Sequence, residues 1–232
     1  MSVITSVTAQ DTRRVYLSSD LPLENIQKQI EAVVEDIGVD AMKTGLLPSV
    51  AVIDLVTEKI KQFEIGCIVV DPVMISTGGD RLVQDEVLGI MKAELFPLAT
   101  VVTPNLQEAE SLIGHEITGK QDLQKAAREI FELGSRAVIV KGGHLEDPKY
   151  STDYLYDGEA LTSLVGPRLD SRNTHGSGCT FASAITAYLA RGMELKDAAR
   201  QAKEFVTEAI RHSFSLGHGH GPLGHFWKYW DS

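Results

Sequence analysis

The stretch Cys67-Ile68-Val69-Val70-Asp71-Pro72 is an apolar run that stops at a carboxylate and a proline. A strand that is apolar at every position is buried on both faces, which is typical of a parallel sheet covered by helices. Residues 100–103 end in the same way at Pro104-Asn105, and residues 137–140 end at Lys141-Gly142-Gly143. These runs therefore predict an α/β fold built on a mostly parallel sheet.

The segments around these runs alternate between strand-like and helix-like patterns. We expect a buried strand at residues 2–7 and a short strand at residues 39–43. A late hairpin of residues 150–156 and 160–165 is expected around Asp157-Gly158, a type I′ turn signal. The expected helices are one ended by Gly38, one opened by Pro48, and those at residues 84–92, 123–131, 178–191 and 195–211. Glycine just after a helix and proline at its first turn are the usual end signals.

Composition and charge narrow the classes of protein. The chain has 232 residues, 43% of them hydrophobic, and a formal net charge of −10. Such an acidic balance argues against a nucleic-acid binder, which usually carries a basic face. Cys67 and Cys179 form neither a disulfide framework nor a zinc spacing. No secretory signal is visible and no apolar run is long enough to span a membrane, so we expect a cytoplasmic protein.

The segment Asn173-Thr174-His175-Gly176-Ser177-Gly178-Cys179 leads into a helix pattern carrying Phe181 and Ile185. Backbone N–H groups at a helix start have no intrahelical partner, and the helix dipole adds partial positive charge there. The segment therefore predicts a site for a phosphate or another anion. Cys179 lies in the first helical turn, where a lowered thiol pKa is expected. A glycine-rich turn with a buried cysteine fits the same residues, and both interpretations stay open.

Polar, charged or glycine residues follow the predicted strands: Gln10; Lys43-Thr44-Gly45; Asp71-Pro72-Val73-Met74; Thr103-Pro104-Asn105; and Lys141-Gly142-Gly143-His144. Ligands of open α/β sheets gather beyond the carboxyl ends of the strands. Loops are often polar without a functional reason, but convergence of these loops at one sheet edge favours a binding cleft.

Asn105 and Glu108 stand three residues apart at the start of a predicted helix. Their oxygens either hold Mg²⁺ or form a helix cap, and the local pattern favours the cap. Asp71 adds a carboxylate, and Lys141 adds a mobile cation that can contact phosphate oxygens. An anion site, a divalent metal and a cation are the groups that phosphoryl transfer requires.

Motifs spread along the chain occur together in one enzyme family: residues 1–10, Lys43-Thr44-Gly45, Asp71-Pro72-Val73-Met74, Gly79-Asp80-Arg81-Leu82, Thr103-Pro104-Asn105-Leu106 with Glu108-Ala109, Val140-Lys141-Gly142-Gly143-His144 and residues 173–179. With them the chain resembles, over essentially its whole length, the hydroxymethylpyrimidine and phosphomethylpyrimidine kinases of thiamine biosynthesis, in the ribokinase superfamily. The resemblance implies a three-layer αβα ribokinase-like fold. It also implies a transferase that uses ATP and Mg²⁺ to phosphorylate 4-amino-5-hydroxymethyl-2-methylpyrimidine and then its monophosphate.

The resemblance assigns roles to individual residues. It implies an anion hole of Gly176, Ser177, Gly178 and Cys179, with Cys179 at the position of the catalytic base. It implies a substrate pocket of Gln10, Leu46, Val73 and Met74, nucleotide contacts from Lys141, Asn105, Glu108 and Thr174, and metal ligands in Asp71 and Glu108. Most of the superfamily has an aspartate base where this chain has Cys179, whereas cysteine is characteristic of the pyrimidine-kinase branch and of related pyridoxal kinases. A homodimer is expected, with a small-molecule substrate and neither nucleic-acid nor membrane partners.

The N-terminus departs from the family pattern. Family members begin with a strand, a glycine-rich loop of the kind Gly-Ser-Asp-Ser-Gly-Gly-Gly-Ala-Gly and a helix, whereas this sequence begins at Met1-Ser2-Val3-Ile4. We therefore expect one ribokinase-like kinase domain, residues 1–232, that lacks the first strand–helix unit and has reduced activity. The alternatives to the pyrimidine kinase are a pyridoxal or pyridoxine kinase on the same fold, and a truncated non-catalytic domain that binds a ligand or a partner.

The tail Gly217-His218-Gly219-His220-Gly221-Pro222-Leu223-Gly224-His225 alternates glycine with other residues. Such a pattern fits either a metal site or a glycine-rich terminus. No carboxylate or cysteine completes a ligand set there, so the second interpretation is favoured. Trp227, Tyr229 and Trp230 are expected to anchor the terminus or to contact a second subunit.

Overall fold

The computed structural model of the protein describes residues 1–75, 82–143 and 147–229. The strands are β1 (Ser6–Gln10), β2 (Val15–Asp20), β3 (Met42–Thr44), β4 (Ile68–Val70), β5 (Val101–Val102), β6 (Val138–Val140), β7 (Tyr150–Tyr156) and β8 (Leu161–Pro167). The helices are α1 (Leu23–Asp36), α2 (Val50–Gln62), α3 (Asp85–Ile90), α4 (Leu106–Ile113), α5 (Lys120–Phe131), α6 (Ser177–Ala190) and α7 (Leu195–Arg211). A π-helical turn, Met91–Leu95, continues α3. Gly79, Asp80, Arg81, His144 and Trp230 lie outside the described residues.

The central sheet runs in the order β3-β4-β5-β6-β7-β8. The first four of these strands are parallel, and β7 and β8 are antiparallel to their neighbours. All three residues of β4 are buried, as expected for a parallel strand covered on both faces. The predicted α/β fold with a mostly parallel sheet and a late antiparallel hairpin is confirmed.

Helices cover both faces of this sheet, which gives the three layers. Side chains of a strand alternate between the faces, so Ile68 and Val70 pack with α1, α2, α4 and α5. Val69, between them, packs on the other face with Phe181 of α6 and Ala202 of α7. In the described residues no helix is long and apolar enough to cross a membrane.

The N-terminal segment corrects one expectation. We predicted a buried strand at residues 2–7, but the strand is β1, and it pairs antiparallel with β2 in a separate two-stranded ribbon. The Asp11 carboxylate accepts hydrogen bonds from the backbone of Arg13 and Arg14 and closes a tight turn. Because of this turn, β1 pairs with β2, the next strand along the chain. The ribbon leaves Val7 and Leu17 exposed.

Turn chemistry corrects two further expectations. The β7–β8 hairpin closes with a loop of residues 157–160 instead of a two-residue type I′ turn, because the Asp157 carboxylate accepts from Glu159 N and Ala160 N. The helix expected to open at Pro48 begins at Val50, since the Ser49 hydroxyl caps it. Gly38 does follow α1, with a φ of 85° that favours glycine.

Candidate active site

The carboxyl ends of the four parallel strands meet at one edge of the sheet, and the start of α6 lies beside them. Asp71 directly follows β4, Thr103 follows β5 and Lys141 follows β6. Lys43 lies in β3, and α6 packs on both β3 and β4. The predicted convergence of these strand ends is therefore present.

Asp71 is the centre of the site and is 1% exposed. Its Oδ1 atom accepts from Lys141 Nζ at 3.0 Å and from the Thr103 hydroxyl at 3.3 Å. Its Oδ2 atom lies 3.5 Å from Lys43 Nζ and, in the described part of the chain, has no hydrogen-bond donor. Burial disfavours the charge, but Lys141 and Lys43 hold the pKa of Asp71 below its usual range. Asp71 is thus an ionised, buried carboxylate.

Lys141 joins Asp71 to a second buried carboxylate, Glu108. Lys141 Nζ lies 4.0 Å from Glu108 Oε2. Although burial disfavours its charge, the two carboxylates keep the pKa of Lys141 above its usual range. Burial raises the pKa of Glu108 to about 7, against the opposing attraction of Lys141. Two buried acids therefore share one cation, whose side chain is 13% exposed, and they differ in pKa.

Asn105 and Glu108 form the capping box of α4. The Asn105 side chain accepts from Glu108 N at 2.9 Å, and Glu108 Oε2 accepts from Asn105 N at 2.7 Å. The favoured interpretation of this pair as a helix cap is confirmed. The cap also fixes the Glu108 carboxylate beside Lys141, so capping and a role at the site are compatible.

The raised pKa of Glu108 gives a pH-dependent prediction. The folded protein keeps this proton up to about pH 7, whereas the ordinary value is 4.5, so Glu108 makes the free energy of unfolding fall between those pH values. Glu108→Gln keeps the capping acceptor but does not titrate. We expect the variant to lose this part of the pH dependence in urea unfolding series. An exposed control, Glu86→Gln, should keep it, and identical slopes for Glu108→Gln and the wild type would contradict the assignment.

The start of α6 has the geometry of an anion site. Gly176 is the N-cap with a φ of 79°, in the left-handed region that glycine favours. The backbone N–H groups of Gly178 and Cys179 have no intrahelical acceptor, whereas that of Ser177 donates to the Thr174 carbonyl at 3.1 Å. A Cβ at Gly178 would stand 3.1 Å from Lys141 Nζ, so glycine at this position lets the lysine come close to the helix start. The Lys141 ammonium group and the positive end of the α6 dipole therefore attract an anion to the same place.

The structure corrects the expected acidity of Cys179. Cys179 is an exposed residue, but desolvation of its thiol by the surrounding groups and the Asp71 charge raise the thiol pKa, against the opposing effect of Lys43 and Lys141. A lowered pKa was expected from the helix start alone. The buried carboxylate opposite outweighs that effect, so Cys179 is a thiol at neutral pH.

Other predicted site residues lie around this network. Met74 is 4% exposed, and its backbone helps to lower the pKa of the Glu108 carboxylate. Leu46 accepts from the Thr5 hydroxyl at 2.9 Å. Gln10 is exposed at the end of β1, on the ribbon and not on the central sheet, which corrects the expectation that it follows a sheet strand. Val73 N donates to the Asp71 carbonyl, and Thr174 N donates to Arg172, at the loop before α6.

Lys43 and Thr103 belong to the site although the sequence reasoning gave them no role. In the sequence, both stand out only as members of strand-end loops. Their contacts with Asp71 depend on the pairing of β3 and β5 with β4, which their local sequence does not specify. The signal in the sequence that could have assigned Lys43 and Thr103 to the site is their position at the ends of predicted strands.

The donor set limits how a metal is held. In the ranges that the structure describes, no three His, Cys, Asp or Glu side chains come together to hold a metal, and this includes the histidine tail. Two carboxylates, with one buried Asp71 oxygen that accepts no hydrogen bond from the described residues, do fit Mg²⁺, which keeps most of its waters and binds through one or two carboxylates plus substrate phosphates.

Comparison with known proteins identifies a family that matches this chain. The family described as phosphomethylpyrimidine kinase matches residues 1–224. The hydroxymethylpyrimidine/phosphomethylpyrimidine kinase of Bacillus subtilis is 42% identical, over 97% of this chain and 83% of its own length. The bifunctional thiamine biosynthesis protein of Geobacter sulfurreducens is 46% identical over 97% of this chain, but the chain spans only 46% of that protein.

A solved structure shares the fold. The ADP complex of Bacillus subtilis pyridoxal kinase superposes with a TM-score of 0.89 at 39% sequence identity, covering 97% of this chain and 85% of that one. Both the fold class and the nucleotide-binding character expected from the sequence are therefore supported by a relative.

Proposed function

This chain belongs to the phosphomethylpyrimidine kinase family, and we propose that it transfers the γ-phosphoryl group of ATP to 4-amino-5-hydroxymethyl-2-methylpyrimidine and then to the resulting monophosphate. The observation that carries this proposal is that the start of α6, with Gly178 and Cys179, lies beside Lys141, which pairs with Asp71 at 3.0 Å. An anion-binding helix terminus beside a buried cation suits a transferring phosphoryl group. Within the family, this assignment makes the chain an ATP-dependent phosphotransferase.

The charge arrangement suggests how the residues divide the work. Backbone N–H groups of Gly176, Ser177, Gly178 and Cys179 stabilise the phosphoryl oxygens, and Lys141 adds positive charge. Cys179 starts as a thiol, so it is not a free base. We propose that the acceptor hydroxyl passes its proton to the Cys179 sulfur while the thiol proton passes to Asp71. Most of the rate enhancement then comes from positioning and charge stabilisation.

Nucleotide and metal are proposed to occupy the carboxylate side of the site. Asp71 and Glu108 would hold Mg²⁺, and Lys141, Asn105 and Thr174 would contact the nucleotide. The ion supplies neutralisation of the phosphate charges when it is bound. Ionisation of Glu108 near pH 7 then favours Mg–nucleotide binding as the pH rises.

Gln10 is proposed to select the pyrimidine. A primary amide donates and accepts at once, which matches the amino group and ring nitrogen of an aminopyrimidine. Gln10→Leu should weaken hydroxymethylpyrimidine binding by roughly 1–3 kcal/mol, because the ligand groups lose their partners. Calorimetry measures this loss directly. ADP affinity is the internal control, and an unchanged pyrimidine affinity would exclude the role.

Pyridoxal phosphorylation is the second candidate, because the solved relative is a pyridoxal kinase that superposes over nearly the whole chain. Both acceptors are heteroaromatic rings that carry a CH₂OH group. ADP release should be measured with hydroxymethylpyrimidine, its monophosphate and pyridoxal in parallel. We expect the highest kcat/KM for the two pyrimidines. A preference for pyridoxal would favour the second candidate, and no acceptor-dependent release at all would favour a non-catalytic binding domain.

We further propose that residues 1–232 act as one kinase domain, since the apolar clusters on the two faces of the central sheet are built on the same strands.

A homodimer is proposed on the outer face of the ribbon, where Val7 is 57% exposed and Leu17 is 62% exposed. Light scattering tests this assembly, and Leu17→Ser should shift a dimer toward monomer. We also propose that the protein acts in the cytoplasm, where ATP is available as the phosphoryl donor.

A further inference from the structure

The glycine spacing of residues 217–225, which we call the strap, has a steric cause. A Cβ at Gly217 would stand 2.6 Å from the Thr12 hydroxyl oxygen. At Gly219 a Cβ would overlap the Thr12 carbonyl, and at Gly221 it would overlap the Asn173 side chain. Only glycine allows backbone to pass this closely, so the repeated glycines mark a segment laid tightly against two other parts of the chain.

Thr12 anchors the first half of the strap. Its hydroxyl accepts from His218 N at 3.2 Å and from Gly219 N at 3.0 Å. Its backbone carbonyl accepts from His220 N at 2.8 Å. Thr12 lies in the turn between β1 and β2, two residues after Gln10. One residue of the ribbon therefore satisfies three successive amides of the strap.

The second half of the strap binds the loop before α6 and the first turn of that helix. His220 Nδ1 donates to the Arg172 carbonyl at 3.1 Å. The Gly221 carbonyl accepts from His175 N at 3.2 Å. His225 Nε2 is hydrogen-bonded to the Thr180 hydroxyl at 2.9 Å. These partners flank or belong to the segment 173–179 that forms the anion site.

We propose that the strap is a positioning element that fixes the ribbon carrying Gln10 against the anion site, with Thr12 as its anchoring residue. This proposal rests on the proposed function, because it places the acceptor-binding side chain relative to the phosphoryl group. The two parts are far apart in sequence, and the strap binds both. Geometry between acceptor and phosphoryl group decides transfer rates, so loosening the strap should act on the acceptor and not on the nucleotide.

Substitution of Thr12 tests the role. Thr12→Val removes the hydroxyl acceptor at nearly constant shape, whereas Thr12→Ser keeps it. We expect Thr12→Val to raise the acceptor KM roughly tenfold, because two strap amides lose their partner. The KM for ATP and the melting temperature should change little, and Thr12→Ser should behave like the wild type. Equal acceptor KM values for Thr12→Val and Thr12→Ser would overturn the proposal.

A second pair of variants tests the steric cause. Gly219→Ala places a methyl group against the Thr12 carbonyl, while the matched control Gly66→Ala adds one where no atom lies within 4 Å. We expect Gly219→Ala to reproduce the rise in acceptor KM and Gly66→Ala to leave it unchanged. An unaffected acceptor KM in Gly219→Ala would contradict a positioning role.

Hydrogen exchange tests the strap without relying on activity. In Thr12→Val, amides of the ribbon and of residues 172–180 should exchange faster together, while those of α5 keep their wild-type rates. If the wild type phosphorylates no acceptor, the proposed function fails but this measurement still reports on the strap. Unchanged exchange in both segments would show that the strap does not hold them.

Discussion

Cys179→Ala should lose phosphoryl transfer almost completely while nucleotide binding stays close to the wild-type level. We expect kcat to fall by at least about a hundredfold, the lower range for losing a group that handles a proton in the transition state. The thiol lies at the start of α6, where the Asp71 charge acts on it, whereas the proposed nucleotide contacts come from Lys141, Asn105 and Glu108. Single-turnover kinetics and ADP calorimetry on the same preparation separate chemistry from binding.

Two further substitutions make this result specific. Cys179→Ser keeps a hydroxyl that can donate to Asp71, so it should retain more activity than Cys179→Ala. Cys67→Ala is the matched control, because Cys67 is the other free cysteine and lies at the start of β4, away from the site. If Cys179→Ala keeps most of the wild-type turnover, the thiol serves packing and the proton route through Asp71 is wrong.

Lys141→Met should have the largest effect on both stability and nucleotide affinity. Methionine replaces the aliphatic stem but removes the nearer of the two cations of the buried Asp71 charge, at 3.0 Å, and leaves only Lys43 at 3.5 Å. Breaking a buried ion pair in this way costs about 3–5 kcal/mol of unfolding free energy. Urea unfolding measures that loss, and the KM for ATP should rise because the proposed phosphate contact is removed.

The double variant Asp71→Asn with Lys141→Met separates the two effects. Removing both charges takes away the carboxylate that the single variant leaves with Lys43 alone, so part of the stability should return while activity does not. Lys61→Met is the surface control, since its pair with Glu94 is exposed and should contribute about 1 kcal/mol or less. Equal unfolding free energies for Lys141→Met and Lys61→Met would contradict the buried network.

The sequence predicted the sheet because its signal is local. Each residue of β4 is apolar and each is buried, and the polar residues after β4, β5 and β6 did converge. The ribbon was missed for the opposite reason: residues 2–7 are apolar enough for a buried strand, but the Asp11 turn pairs β1 with β2 before it can join the central sheet.

Long-range electrostatics and packing account for the other differences. A helix start by itself lowers a thiol pKa, but Asp71 stands opposite Cys179 from a point far away in the chain and raises it. The glycine spacing of the strap was visible, yet its cause is Thr12, 206 residues from His218. Neither neighbour can be read from the local sequence, whereas the capping box of Asn105 and Glu108 could be, since its partners are three residues apart.

The most direct measurement of the central claim is phosphorus NMR of the products formed from ATP and hydroxymethylpyrimidine. We expect the monophosphate of the pyrimidine to appear first and its diphosphate to follow, with one ADP released for each phosphoryl group transferred. Neither product should form with Cys179→Ala over the same time. ADP release without a phosphorylated pyrimidine, or no reaction beside an active Bacillus subtilis relative, would contradict the assignment of this chain as a hydroxymethylpyrimidine and phosphomethylpyrimidine kinase.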